Sequence, residues 1–217
     1  MKKTADLSEK LIYERKALAA GYTLIAGTDE VGRGPLAGPV VCCAVVLPLG
    51  EEDLVPGVDD SKKVSAKKRE TLAEILQQKA ISCAICEVSP EEIDRINILN
   101  ATKRCMQTCV ERLSPRPDLL LVDAVDAAFC VPHLSIIKGD AKSYAVGAAS
   151  IIAKVYRDKL MDEYDALYPA YGFKKNKGYG TKEHIDAIRE VGPCPIHRKT
   201  FIKNFWDGEA NAPRRSS

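Results

Sequence analysis

The segment DLLLVDA, Asp118 to Ala124, constrains the fold more than any other stretch of the chain. Four consecutive apolar residues without polar alternation suit a strand covered on both faces, and such strands lie at the centre of sheets with helices on either side. Around it, strand-like and helical patterns alternate. YTLIAGTD and PVVCCAVVLP are rich in strand-favouring residues, and the short Gly/Pro-rich link between them predicts antiparallel neighbours. Ser65 is placed to cap a helix with Leu72, Ile75, Leu76 and Ala80 on one face, and ISCAICEV follows as a strand. In SPEEIDRIN, Ser89, Pro90 and Glu92 form a capping-box helix start. A further helix over Ile98 to Leu113 has Ile98, Thr102, Cys105, Cys109 and Leu113 as its buried stripe. A strand from His133 to Ile137 and a largely apolar helix from Ser143 to Tyr164 complete a β-β-α-β-α-α-β-β-α order, and a last helix capped by Thr181 follows it. This is an α/β plan with a mixed sheet.

With 217 residues, 46% of them apolar, one sizeable domain is expected over 1–207, with a C-terminal helical extension and a disordered tail over 208–217. No run reaches the roughly 18 apolar residues of a membrane span, and the N-terminus lacks the apolar core of a signal peptide, so a cytoplasmic protein is expected. The net charge of +2 names no partner. Cations do concentrate in DDSKKVSAKKR, FKKNKGYGTK and HRKTFIK, which suit phosphate contacts and suit solvated loops equally. Eight cysteines in a reducing compartment read as small core residues. Cys83 and Cys86 form a C-x-x-C, but on a strand, where residues three apart face opposite ways; with Cys105 and Cys109 they leave a four-cysteine site conceivable.

Three apolar strands end in acids: Asp29 with Glu30, Asp123, and Asp140 just beyond the strand that starts at His133. Strand ends are the usual place for chemistry in α/β sheets. Carboxylates gathered there repel one another unless a cation neutralises them, and hard oxygen donors without histidine suit Mg²⁺ or Mn²⁺ rather than zinc. A pair of divalent ions about 3.5 to 4 Å apart is the standard clamp for phosphoryl displacement, which points to phosphodiester hydrolysis. Taken singly, each acid has a plainer reading: a turn for Asp29 and Glu30, a loop hydrogen bond for Asp123, a helix cap for Asp140.

The motifs AGTDEVGRGPLAGPV, DDSKKVSAKKRE, INILNATKRCMQ, LVDA, KGDAKSYAVGAASIIAKVYRD, NKGYGT and PIHRKTF occur in the order found in bacterial ribonuclease HII, over roughly Ile25 to Phe201. The chain resembles that family. The resemblance implies a ribonuclease H-like fold and Mg²⁺- or Mn²⁺-dependent cutting of the RNA strand of RNA/DNA hybrids, notably 5′ to a ribonucleotide embedded in duplex DNA. It implies Asp29, Glu30, Asp123 and Asp140 as the catalytic, metal-holding acids. It also implies that Gly32, Arg33 and Gly34 surround the ribonucleotide and sense its 2′-hydroxyl, which separates RNA from DNA, and that Tyr179 packs on the following deoxyribose. Lys62 and Lys63 match the family's DSKK lysines and suit backbone-phosphate contacts. Read alone, G-R-G is an ordinary turn and Tyr179 a loop anchor. Asp158 suits an ion pair with Arg157 or Lys154 and stays outside the metal set. Asn176 stands where many relatives have histidine.

The reading is a monomeric enzyme that leaves 3′-hydroxyl and 5′-phosphate ends. Two rivals remain: a ribonuclease HIII-like enzyme preferring long hybrids, disfavoured by the GRG motif and the short stretch before Ile25, and a non-catalytic hybrid-binding module, disfavoured by the intact acid set. No clamp-binding peptide is evident at the C-terminus, and recruitment by a clamp or polymerase is left open.

Overall fold

The apolar run does form a central strand. The computed structural model describes residues 7–125 and 127–206, and in it a five-stranded sheet runs in the order β3-β2-β1-β4-β5. The strands are β1 (Ile25–Val31), β2 (Val40–Val46), β3 (Ser82–Val88), β4 (Leu119–Asp123) and β5 (His133–Ile136). β1 and β2 are antiparallel, as their short link requires, with Asp29 opposite Cys43. β4 lies parallel to both β1 and β5, with Thr28 opposite Val122. Leu119 to Val122 are all buried, so the lack of alternation in the sequence reflects two covered faces.

The helices are α1 (Leu7–Lys10), α2 (Ile12–Ala19), α3 (Ala66–Lys79), α4 (Pro90–Ile96), α5 (Ile98–Glu111), α6 (Gly139–Lys142), α7 (Tyr144–Leu167), α8 (Phe173–Asn176), α9 (Lys182–Val191) and α10 (Lys199–Ile202). The short 208–217 stretch expected to be a tail lies outside the described residues. Successive β2 side chains face opposite ways. Val41, Cys43 and Val45 pack with Leu72 and Leu76 of α3 and with Ala148, Ile151 and Ile152 of α7. Cys42 faces α5 instead, where Cys109 donates to its carbonyl at 3.2 Å. The C-x-x-C divides likewise: Cys83 lies 3.9 Å from Cys43, sulfur to sulfur, whereas the Cys86 carbonyl accepts from Cys105 on α5 at 3.2 Å. All eight cysteines are free thiols.

One sequence detail differs. In α3 the buried stripe is Leu72, Ala73 and Leu76, with Ile75 exposed and Ala80 beyond the helix end. At α4, Ser89 does accept from the Glu92 amide, and the Glu92 carboxylate pairs with Arg95 at 2.6 Å.

Backbone contacts divide the chain into two compact units. The first comprises the chain to Val31, Val41–Glu87 and Thr102–Val155, and holds most of the sheet. The second comprises Gly32–Val40, Val88–Ala101 and the chain from Tyr156. Its own core is Ala37, Met161, Tyr171, Phe173, Ile188, Ile196 and Ile202.

Candidate active site

All four predicted acids fall in the first unit. Asp29 is the fifth residue of β1 and follows Thr28, the last residue paired with β4; Asp123 follows its partner Val122. Parallel strands about 4.8 Å apart therefore carry Asp29 and Asp123 side by side. Asp29 is buried, and desolvation, then Glu30, then Asp123 push its carboxyl well above the ordinary range, against a hydrogen bond from Ser150. Asp123 Oδ1 accepts from the Gly139 amide at 2.8 Å, which ties the end of β4 to the start of α6. The approach is close there: a Cβ on Gly139 would stand 3.2 Å from the Asp123 Cα. The next residue, Asp140, is buried, and its carboxyl is raised by desolvation and then by Asp60 and Asp123.

The donor set fits a hard divalent cation. It is all oxygen, and the rise in the Asp29 and Asp140 carboxyls comes first from burial and then from neighbouring carboxylates, both of which a bound cation offsets. Among the described residues no group of three or more His, Cys, Asp or Glu converges as a finished metal cage. The structure brings the acids to neighbouring elements, β1, the end of β4 and α6, rather than into a closed cage, and the four-cysteine alternative gains nothing.

An open cleft of about 500 Å³ is lined by Asp123 and Asp140 together with Asp60, Lys62, Lys63 and Lys138. The two DSKK lysines are thus brought beside two of the acids. Lys62 partly offsets the repulsion on Asp140. Asp60, which sequence reasoning passed over, faces the same cleft; its signal was its place in the DDSKK run. The N-terminal helices were also missed. Lys10, almost fully buried, bonds Asp59 at 2.7 Å and the Ala141 carbonyl at 2.9 Å. Glu14 Oε1 accepts from Ser143 Oγ at 2.6 Å and the Ala145 amide at 3.0 Å. Both side chains anchor the segment that carries Asp140.

Gly32, Arg33, Gly34 and Tyr179 belong to the second unit. Gly32 has φ +93°, and a Cβ there would stand 2.3 Å from Arg157 Nε, so only glycine fits. Arg33 and Gly34 are exposed, and a Cβ on Gly34 would lie 3.8 Å from the half-exposed Tyr179 ring. Two fully buried arginines hold this region by its backbone. Arg198 donates to the carbonyls of Gly32 (2.6 Å), Arg33 (2.9 Å) and Gly38 (2.8 and 2.9 Å). Arg157 donates to Pro39 (3.0 Å), Ala37 (3.1 Å) and Lys177 (2.9 Å), binding the loop to the segment just before Tyr179. Burial lowers both guanidinium pKa values, to about 10 for Arg157 and about 9 for Arg198, which leaves both charged at neutral pH. Neither role was foreseen. Arg157 was expected at most as one of two ion-pair partners for Asp158, the other being Lys154; its Nε, Nη1 and Nη2 all reach carbonyls as well.

A mixed sheet with carboxylates where the pairing of its two central parallel strands ends, an all-oxygen donor set and lysines along the cleft fit a metal-dependent nuclease of ribonuclease H-like fold. Two solved structures share that fold. The ribonuclease H2 of Pyrococcus horikoshii OT3 matches with a TM-score of 0.73 at 27% identity, over 85% of this chain and 98% of its own. The RNase HII in the PCNA:RNase HII complex from Archaeoglobus fulgidus matches with a TM-score of 0.70 at 27% identity, over 84% and 97%. A ribonuclease HII from Acetivibrio thermocellus is 52% identical over 198 residues, which is 91% of this chain and 77% of that protein. The Ribonuclease HII family model matches residues 26–207, and the chain belongs to that family. It is a metal-dependent endoribonuclease that acts on RNA/DNA hybrids.

Proposed function

We propose that this enzyme incises DNA duplexes 5′ to an embedded ribonucleotide, leaving 3′-hydroxyl and 5′-phosphate ends, and that Asp29, Glu30, Asp123 and Asp140 hold its metal ions. The observation that supports the reading is Asp29 buried beside Asp123 at the end of the β1–β4 pairing, its carboxyl pushed up first by burial and then by Glu30 and Asp123. Mg²⁺ or Mn²⁺ bound as a pair supplies Lewis-acid activation of water and neutralises charge on the leaving oxygen. The protein's own part is to supply the charge and the fit. Asp29 and Glu30 present their carboxylates on the two faces of β1, while the Gly139 amide fixes one oxygen of Asp123 and leaves the other to act as a ligand. Lys62 and Lys63 meet the phosphate backbone along the cleft.

In the second unit, Gly32, Arg33 and Gly34 offer bare backbone to the ribose, and Tyr179 packs on the next sugar. Glycine suits such contact because nothing projects between the main chain and the 2′-hydroxyl. The enzyme works as a monomer in the cytoplasm. No helix among the described residues is long and apolar enough to cross a membrane.

The test is a DNA duplex carrying one ribonucleotide, incubated with Mg²⁺ or Mn²⁺ beside an all-RNA/DNA hybrid. The expected product is a single cut on the 5′ side of the ribonucleotide. Cleavage confined to the long hybrid would favour the ribonuclease HIII-like alternative, and no cleavage of either would favour a binding module.

A further inference from the structure

Two buried histidines lie in the second unit without a part in the chemistry above. His184, on α9, is fully buried, and His197 nearly so. Their Nε2 atoms are 3.0 Å apart. The tautomers follow from the Tyr179 end. The Tyr179 carbonyl, which can only accept, lies 2.8 Å from His184 Nδ1, so that nitrogen carries the His184 proton. His184 Nε2 is then the acceptor, and the His197 proton sits on Nε2 and is donated to it. His197 Nδ1 is left to accept from the Cys194 amide at 2.9 Å, with the Cys194 thiol at 3.1 Å and its carbonyl at 3.2 Å beside it. The chain thus runs Cys194, His197, His184, Tyr179.

Burial and the neighbouring ring agree with this pattern of neutral imidazoles: His197 is held down to about 4, and His184 is lowered by burial. The ring of Phe173 meets His184 edge-on at 5.3 Å, and that of Tyr171 meets His197 edge-on at 4.8 Å, which fixes both imidazole planes. The next residue in sequence, Arg198, holds the Gly32 and Arg33 carbonyls. Gly178, the residue before Tyr179, accepts from the Leu36 amide at 2.8 Å.

We propose that His197–Arg198 is a positioning pair: His197, through His184, sets the Tyr179 main chain, and Arg198 sets the Gly32–Gly34 main chain, so that two adjacent buried residues fix tyrosine and glycines in register for the ribonucleotide junction. The proposal rests on the reading of Tyr179 and Gly32–Gly34 as recognition elements. The pair touches no substrate; it acts by removing freedom from groups that do.

The test compares His197→Asn with His197→Gln. The asparagine can still accept from the Cys194 amide but is too short to reach His184, whereas the glutamine restores the reach. The expected result is a rise of roughly tenfold in KM for the single-ribonucleotide duplex with His197→Asn, the scale of one lost positioning hydrogen bond, with kcat and Mn²⁺ affinity unchanged and with recovery in His197→Gln. Equal KM in the three proteins, or a loss of kcat on both substrates that tracks melting temperature, would overturn the proposal. Tyr179→Ala separates the layers. If it leaves KM for the single-ribonucleotide duplex unchanged, the recognition reading fails; if it raises KM while His197→Asn does not, only the positioning proposal fails. Should His197→Asn not fold, ¹⁵N spectra of the unmodified protein carry the test. Protonated Nδ1 on His184 and protonated Nε2 on His197 are expected, and the opposite tautomers would overturn the relay.

Discussion

The two units hold their functional groups by opposite electrostatic means. In the first, acids are buried and set where they repel one another, and the raised Asp29 and Asp140 carboxyls register first the burial and then the repulsion. In the second, buried arginines satisfy backbone carbonyls, and the groups they fix are main-chain atoms of Gly32 and Arg33. The difference teaches how stability and function divide. On the proposed function, the groups assigned to a cation are left under-compensated, because a fully paired carboxylate would have little affinity to offer. Those assigned to a sugar are over-determined, because recognition of one hydroxyl tolerates little movement. Removing charge from the first unit should therefore relieve the fold, while removing charge from the second should damage it.

The largest expected effect is on chemistry alone. Asp123→Asn should abolish cleavage yet leave hybrid binding, measured by fluorescence anisotropy, close to that of the unmodified enzyme. A fall in binding that accounts for the whole loss would break the contrast by making Asp123 a substrate contact.

Arg198→Met should be the most damaging change to the fold. It strands the carbonyls of Gly32, Arg33 and Gly38, at about 1–3 kcal/mol for a buried group left unpaired. For a chain of this size a loss of about 3 kcal/mol lowers Tm by roughly 10 °C. A Tm equal to that of the parent protein would show that these carbonyls find water.

A smaller effect follows from His197. Its pKa in the folded chain is about 4, below the 6.5 of a free imidazole, so between those values the unfolded chain takes up a proton that the folded chain refuses. This contribution to stability is complete above about pH 6.5, is lost as pH falls toward 4, and levels off below. Urea titrations of the parent and His197→Gln proteins over that range should converge at the acid end. Parallel curves would show that His197 does not titrate there.

The smallest effect belongs to the exposed lysines. Lys62→Ala should weaken hybrid binding a few-fold and reduce the salt dependence of log K by about one unit of slope. An unchanged salt slope would return Lys62 to the role of a solvated charge.

The sheet and the acids were legible because both leave marks in residue type. Leu119 to Val122 can only be a doubly covered strand, and Asp29, Glu30, Asp123 and Asp140 stand where apolar runs stop. What was not legible shares one cause. Arg157, Arg198 and His184 bond to backbone carbonyls, and a carbonyl has no residue identity to read. HRKTFIK accordingly looked like a solvated or phosphate-binding run, although its first two residues are buried. Lys10 and Glu14 were hidden by distance: the Glu14 partners Ser143 and Ala145 lie far along the chain. The exposed Ile75 shows the remaining limit, since a helical stripe read from spacing can be rotated by one residue when a small Ala73 packs instead.

The central contrast is tested most directly by Asp29→Asn, with Tm and cleavage of the single-ribonucleotide duplex measured on the same preparation without and with Mg²⁺. Relief of the repulsion from Glu30 and Asp123 predicts a Tm equal to or above the parent's in metal-free buffer, a smaller rise on adding Mg²⁺, and no cleavage. A lowered Tm together with retained cleavage would contradict the account.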